Sequence, residues 1–368
     1  MKHKILIYSS AYPPTIHGAA TVVRNMAQSL AAKDLSVTVV TPGLRNSTED
    51  DAGVLVKHFK AFTTNKLLIF IILTITGLRC SLKEKFDLIH AHGTVGGLAA
   101  FITNVIMGTP YIMTFHRDDL YLSSIRNSKE LTLRLVNLIV ARRARYVHVP
   151  HLELAKRTSQ VLKIKYSKLA IIPYPVPIRF FLNDIEEFNK KTVNILSCGL
   201  LIRRKRYDLL LLAFASLVAK HPEVRLIIAG EGNQRRYLQS LSDSLGISKS
   251  VNFLGEIDES ELIKQYHSCM AYVSASDSEL FGMTIAEAMA AGKPIISTRT
   301  IGATFLIEDN VNGLLVDIGD AGELASCLEK VITNPDLARE MGRASRRKAE
   351  NDLSPDVFAN KYTKVFLT

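Results

Sequence analysis

The chain contains no tryptophan and only four cysteines in 368 residues. Those four (Cys80, Cys198, Cys269 and Cys327) are far apart and form no CxxC pair. That spacing excludes a zinc ribbon and a dithiol redox motif, and leaves reduced thiols as the reading. A GxGxxG turn is also missing after the first apolar run, where the sequence reads SSAYPPTIHG (Ser9–Gly18). A hydride-transferring dinucleotide enzyme is thereby disfavoured. No HExxH and no cluster of His and Cys occurs, so no metal and no resident cofactor are expected. Internal repeats of the 20–50-residue kind are absent. The longest apolar run, Leu67–Ile75, is too short to span a bilayer. The opening MKHKILIYSS has a basic start and only a brief apolar stretch, so it is expected to be a first strand rather than a signal peptide.

What is present is the composition of an ordinary globular chain, 47% hydrophobic and 22% charged. Its length suggests two cores rather than one. Charge is unevenly divided. Residues 1–183 hold 24 Lys and Arg against 10 Asp and Glu, whereas residues 184–368 hold 22 against 25. A basic half beside a near-neutral half points to an anionic partner for the first half. No nucleic-acid module or aromatic-interleaved basic stripe is recognisable, so no nucleic acid is expected. An anionic membrane surface or a phosphate-bearing acceptor fits better.

Short Val/Ile/Leu runs ending at small or polar residues recur between helical patterns. They are Lys4–Ser10, Ser36–Thr41, Asp87–His92, Tyr111–His116, Tyr146–Pro150 and Leu169–Pro173 in the first half. In the second half they are Val193–Gly199, Val224–Gly232, Val251–Gly255, Met270–Ser276, Lys293–Thr298 and Gly313–Asp317. Such runs read as buried parallel strands, and two successive sets predict an α/β chain of two doubly wound domains. The prolines of PYPVPI (Pro173–Ile178) forbid helix and mark the hinge. The expected division is 1–176, 177–350, and a closing helix 351–368 that returns to the first domain. Ligands of open α/β sheets bind beyond the carboxyl ends of the strands, so chemistry is expected in a cleft across which the two domains face.

One segment breaks the pattern. KLLIFIILTITGLRCSLKEK (Lys66–Lys85) opens apolar and turns basic. Two readings stand: a helix buried all round, or one seated shallowly in a membrane surface.

The chemistry-bearing segment is SDSELFGMTIAEAMAAGKPIIST. Glu279 lies in a loop after a strand, Phe281-Gly282 makes a turn, and Glu287 sits eight residues beyond Glu279 on a small-residue helix. Both carboxylates can therefore address one ligand near a helix N-terminus, whose free N–H groups also suit a diphosphate. Carboxylates there accept hydrogen bonds from sugar or ribose hydroxyls. The run Arg203, Arg204, Lys205 follows a strand end and supplies positive charge for a phosphate leaving group.

This segment resembles the donor-binding signature of the retaining GT-B glycosyltransferases of family four. PPTIHGAA, IHAHG, TFHRDD, RRKRYDLLLLAFA, IIAGEG, VNFLG and DNVNGLLVD are similar to family landmarks in order, so the resemblance spans essentially the whole chain. It implies a GT-B fold of two Rossmann-like domains and a nucleotide-diphosphate sugar as donor substrate. The acceptor would be a saccharide, plausibly lipid-linked, in cell-envelope synthesis on the cytoplasmic face of the membrane. It implies a catalytic set of Glu279, Lys205 and His116, with Glu279 on the donor sugar and Glu287 on the ribose hydroxyls. Phe281, Gly282 and Met283 would offer backbone N–H groups. Gly18, Arg203, Arg204, Gly230, Gly232, Gly255, Glu256 and Ile257 would complete the donor side, and His92, Asp118 and Asp119 the acceptor side. Leu200 stands where the family carries an Arg, and Phe305 where it frequently carries Glu. A GT-B epimerase or a noncatalytic nucleotide-sugar-binding protein shares this architecture, and turnover separates the three.

Overall fold

A computed structural model describes residues 2–15, 18–61, 65–116, 128–182 and 193–367. The chain divides into two compact units, Met1–Pro175 with Ser354–Thr368, and Val176–Leu353. The division falls inside PYPVPI, where prolines at every second position (Pro173, Pro175 and Pro177) keep the backbone out of helix.

In the first unit the chain runs β1 (Lys4–Ser9), α1 (Gly18–Ala31), β2 (Ser36–Gly43), β3 (Ser47–Asp51) and β4 (Val54–Lys60). It continues through α2 (Lys66–Lys83), β5 (Leu88–His92), α3 (Gly93–Met107), β6 (Tyr111–Thr114) and α4 (Ser128–Arg143). β7 (Tyr146–Val149), α5 (Leu152–Leu162) and β8 (Leu169–Ile171) complete the sheet. The sheet order is β3-β4-β2-β1-β5-β6-β7-β8, parallel except for the β3–β4 pair. Every expected strand forms because helices cover both faces, which lets Ile5 to Ser9 and Leu88 to His92 be buried without alternation. The β3–β4 pair was not legible as apolar runs. STEDD is an edge strand of charged residues, and VLVKHFK alternates, burying Val54 and Val56 while Leu55 faces out.

The second unit runs β9 (Val193–Cys198), α6 (Tyr207–Val218), β10 (Val224–Ala229), α7 (Arg235–Ser244), β11 (Val251–Gly255) and α8 (Glu259–Ser268). Then follow β12 (Ala271–Ser274), α9 (Met283–Ala290), β13 (Ile295–Thr298), α10 (Ile301–Leu306), β14 (Gly313–Val316), α11 (Ala321–Thr333) and α12 (Pro335–Leu353). Its sheet is wholly parallel, in the order β11-β10-β9-β12-β13-β14. The core joins Ile195, Leu226, Val273 and Ile296 of the strands to Leu210, Phe214, Leu328 and Met341 of the helices.

Both sheets reverse direction of winding at their centre. The switch lies between β1 and β5 in one unit and between β9 and β12 in the other. Ligands of doubly wound sheets bind at this crevice, which places each unit's site before any side chain is considered.

The last helix, α13 (Pro355–Phe366), belongs to the first unit. Phe358, Tyr362 and Phe366 recur every four residues on its buried face. Each buried aromatic contributes roughly 1.5–3 kcal/mol before conformational entropy is counted.

Helix α2 is not buried all round. It hides Leu73, Thr74, Gly77, Cys80 and Ser81, and Gly77 lies so close to Tyr8 that a Cβ would fall 1.8 Å from the phenol oxygen. Its other face exposes Leu67, Leu68, Ile71, Ile75 and Leu82. No described helix is long and apolar enough to cross a membrane.

Candidate functional site

The central crevice of the second unit gathers the residues singled out in the sequence. Past β9 the chain turns through Gly199 into a short 3-10 turn, Arg203–Lys205, before α6. Past β12 it passes Ser276 and Glu279 to α9. Lys205 donates to Glu279 Oε1, which also accepts from Ser276 Oγ at 3.0 Å. Arg204 Nη1 lies 3.8 Å from Glu279 Oε2 and donates to the Ser278 carbonyl at 2.5 Å. The Lys205 and Glu279 side chains are 16% and 12% exposed, enough to meet a ligand yet partly withdrawn from water. Charged hydrogen bonds in such surroundings are stronger than at an open surface.

Arg203 is exposed and has no ion-pair partner among the described residues, whereas Arg206 is engaged by Asp208 and Asp277. Leu200, beside the glycine, is partly exposed and contributes no charge. A groove of about 650 Å³ runs along the Arg203, Arg204 and Arg206 side of this loop, with Tyr207, Gln234 and Tyr237 in its wall.

Gly282, the N-cap just before α9, lies in the left-handed region (φ 89°), where a side chain would be strained, and no side chain caps the helix. The orphan N–H groups of its first turn therefore remain suited to an anion. Phe281 just before it is buried and lies against Phe305, with ring centroids 6.0 Å apart. At 305, the position noted above as frequently Glu in the family, the chain thus has an apolar prop for the turn.

Glu287 lies deeper, 6% exposed on α9. Tyr266 OH is 3.0 Å from Glu287 Oε2, 3.0 Å from the Thr284 carbonyl and 2.9 Å from Cys198 Sγ. Burial pushes the Glu287 carboxyl up to about 7, against the opposing pull of the Tyr266 hydrogen bond. Burial likewise pushes the Cys198 thiol up to about 12, so it is no nucleophile. Ser276, Tyr266 and Cys198 were missed from sequence, because nothing local distinguishes a supporting hydroxyl or thiol from a core residue.

The glycines sort by geometry. A Cβ on Gly230 would fall 2.0 Å from the Gly199 carbonyl oxygen, and one on Gly232 would fall 2.3 Å from that of Leu201. The close packing of the loops after β9 and β10 accounts for both without a ligand. The Gly255 carbonyl accepts from the Gly230 N–H at 2.7 Å, which ties the loop after β11 to the loop after β10. Glu256 is exposed and Ile257 half-buried on the following loop. Gly18, first residue of α1, differs: a Cβ there would meet nothing within 4 Å.

The first unit contains a histidine cluster at the ends of β5, β6 and β7. His148 Nε2 donates to the Ile172 carbonyl at 2.7 Å, and burial pushes this ring down to about 4, so it is neutral. Its bare Nδ1 must then accept from the Thr114 hydroxyl at 3.1 Å. Thr114 Oγ1 in turn accepts from His90 Nε2 at 2.8 Å, and the bare His90 Nδ1 accepts from Tyr362 OH of α13 at 3.2 Å. Every group in this chain is satisfied in one direction only. His92, 2% exposed, stacks on His90 and bonds through Nδ1 to His116 Nε2 at 2.8 Å. Burial holds both His90 and His92 well below the usual histidine range. So enclosed, His92 turns its chemistry to His116 rather than outward to an acceptor. Asp118 and Asp119 lie outside the described residues. Among the described residues no group of His, Cys, Asp or Glu is arranged to hold a metal.

Two Rossmann-like units of largely parallel strands make up a GT-B fold. The description "Glycosyl transferases group 1" matches residues 179–348, and "Glycosyltransferase Family 4" matches residues 16–180. The chain belongs to this glycosyltransferase family. It is 26% identical to alpha-monoglucosyldiacylglycerol synthase of Acholeplasma laidlawii, over 99% of this chain and 96% of that protein. Among solved structures, sucrose-phosphate synthase of Thermosynechococcus elongatus superposes with a TM-score of 0.87 at 20% identity, covering 100% of this chain and 98% of that one. The HepE protein of Anabaena, solved with UDP and glucose, gives 0.81 at 20% identity and covers 100% of both chains.

Proposed function

We propose that the protein transfers a hexosyl or N-acetylhexosaminyl group from a nucleotide-diphosphate sugar to a lipid-linked saccharide acceptor, with retention of anomeric configuration. The observation that carries this reading is the Lys205–Glu279 pair at the β9/β12 switch point beside the uncapped start of α9. In it, Lys205, with Arg203 or Arg204 in place of the charge that Leu200 lacks, neutralises the departing diphosphate. Glu279 holds the sugar, Glu287 the ribose hydroxyls, and the N–H groups from Phe281 to Met283 the anionic linkage. The leaving phosphate helps deprotonate the acceptor hydroxyl on the same face, and His116 positions the sugar rather than shuttling a proton. The nucleotide sugar is substrate, and no metal or resident cofactor takes part in this scheme.

An acceptor at a membrane is supported by the first unit's surface. Helices α2, α3 and α4 pack side by side, and each leaves apolar side chains exposed: Leu67 and Leu82, Val105 and Ile106, Leu135 and Ile139. Lys83, Lys85, Arg142 and Arg143 are exposed near the ends of these helices. Such a surface suits peripheral seating on the anionic cytoplasmic face of a membrane. The Acholeplasma laidlawii relative, named for a glucosyldiacylglycerol product, is in keeping with a lipid acceptor. The test is a panel of nucleotide sugars offered with and without lipid-linked acceptors. Glycosylated product supports transfer; interconversion of free nucleotide sugars, or binding without turnover, refutes it.

A further inference from the structure

We infer that His92 is a positioning residue that fixes the tautomer of His116, by donating its Nδ1–H to His116 Nε2. The inference rests on the proposed role of His116 in the transfer, but its structural content stands apart from that role. The two rings are nearly coplanar, 9° apart, with 2.8 Å between the bonded nitrogens. One of those nitrogens carries the proton and the other does not.

His92 Nε2 decides which. It is buried and has no hydrogen-bond partner. A neutral ring has one N–H. Placed on Nε2, that proton would be an orphaned buried donor, whereas a bare Nε2 leaves only an unused lone pair. Buried donors without partners are the rarer and costlier case. The proton therefore sits on Nδ1 and points at His116. His116 Nε2 is then an acceptor, and its single proton is on Nδ1, which makes that nitrogen a hydrogen-bond donor.

The ring is held in this attitude from behind. His92 stacks on His90 with centroids 4.3 Å apart, and His90 is itself fixed by Thr114 and by Tyr362 of α13. The last helix thus bears on a residue of the site through three side chains. Among the described residues, the printed links from Tyr362 through His90 to His92 are neutral hydrogen bonds and ring stacking.

The test is nitrogen-15 NMR of ring-labelled full-length protein, with the His116 signals identified by their loss in His116→Asn. The expected result is a protonated Nδ1 and a bare Nε2 on His116. His92→Asn, whose amide nitrogen replaces Nδ1, should keep that tautomer and hold kcat within about threefold of wild type. His92→Gln and His92→Leu, which place no donor there, should mix the tautomers and lower kcat about tenfold or more, with donor KM little changed. A protonated Nε2 on His116 in the wild type overturns the inference, as does a His92→Leu protein with unchanged tautomer and rate. If His92→Leu does not fold, the wild-type spectrum and the Asn–Gln comparison still decide. Unchanged turnover in His116→Asn would instead remove the role given to His116, leaving the tautomer result intact.

Discussion

The two units are built on one plan and have diverged in what their switch points hold. In the second, the crevice between β9 and β12 collects charge: Lys205, Arg204, Glu279 and, deeper, Glu287. In the first, the ends of β5, β6 and β7 collect histidines, of which the buried His90 and His148 are linked by hydrogen bonds to Thr114 and Tyr362. The balance of whole units runs the other way. The first holds 25 Lys and Arg against 11 Asp and Glu, the second 21 against 24. Positive charge in the first unit is thus spread over its surface, where it suits an extended anionic partner. In the second it is concentrated at a few atoms, where it suits a diphosphate.

The comparison breaks most readily at Glu279. Glu279→Ala removes the acceptor for both Lys205 and Ser276, and turnover should fall by about a hundredfold or more while the fold persists. Steady-state kinetics with circular dichroism check this. An equally large loss from a conservative change on the α2 surface would dissolve the contrast between concentrated and spread charge.

Glu287 sharpens it next. Its carboxyl is raised from 4.5 to about 7 by burial. In the window between those values the folded protein holds a proton that the unfolded chain has released. Its contribution is fully present below 4.5 and is lost as pH rises through 7. Glu287→Gln should therefore stabilise the ligand-free protein at pH 8, by up to ~3 kcal/mol, and leave stability near pH 4 unchanged. Denaturant melts at the two pH values measure it. The same variant should bind donor more weakly, because the ribose loses a charged acceptor.

On the first unit, a Leu67→Glu, Ile71→Glu double variant should lower co-sedimentation with anionic vesicles about tenfold. Wild-type protein left wholly in the supernatant at low salt would end the membrane reading. The smallest effect is expected at Tyr362→Phe, which leaves His90 Nδ1 without its donor. A loss of about 1–2 kcal/mol in stability is expected, from one unsatisfied buried acceptor, and thermal or denaturant melts read it.

Much of this was legible beforehand, for identifiable reasons. Parallel strands buried on both faces write themselves as Val/Ile/Leu runs, so β1 and β9 stood out, whereas the charged edge strand β3 left no such mark. Glu279, Glu287 and Lys205 could be picked out because a motif repeats their spacing. Tyr266 and Tyr362 could not, since each is an aromatic at helical spacing, and only the fold shows that its hydroxyl meets Glu287 or His90. The substitution of Leu200 for an expected Arg was visible in the sequence. What the fold adds is that Arg204 stands 3.8 Å from Glu279, close enough to share in its charge.

The central claim is that concentrated charge in the second unit drives departure of the diphosphate. It is tested most directly by donor turnover in Lys205→Ala, measured on folded full-length protein at saturating nucleotide sugar. A fall in kcat of about a hundredfold or more is predicted, because the lysine acts on charge that develops only as the sugar leaves. An unchanged kcat would contradict the assignment.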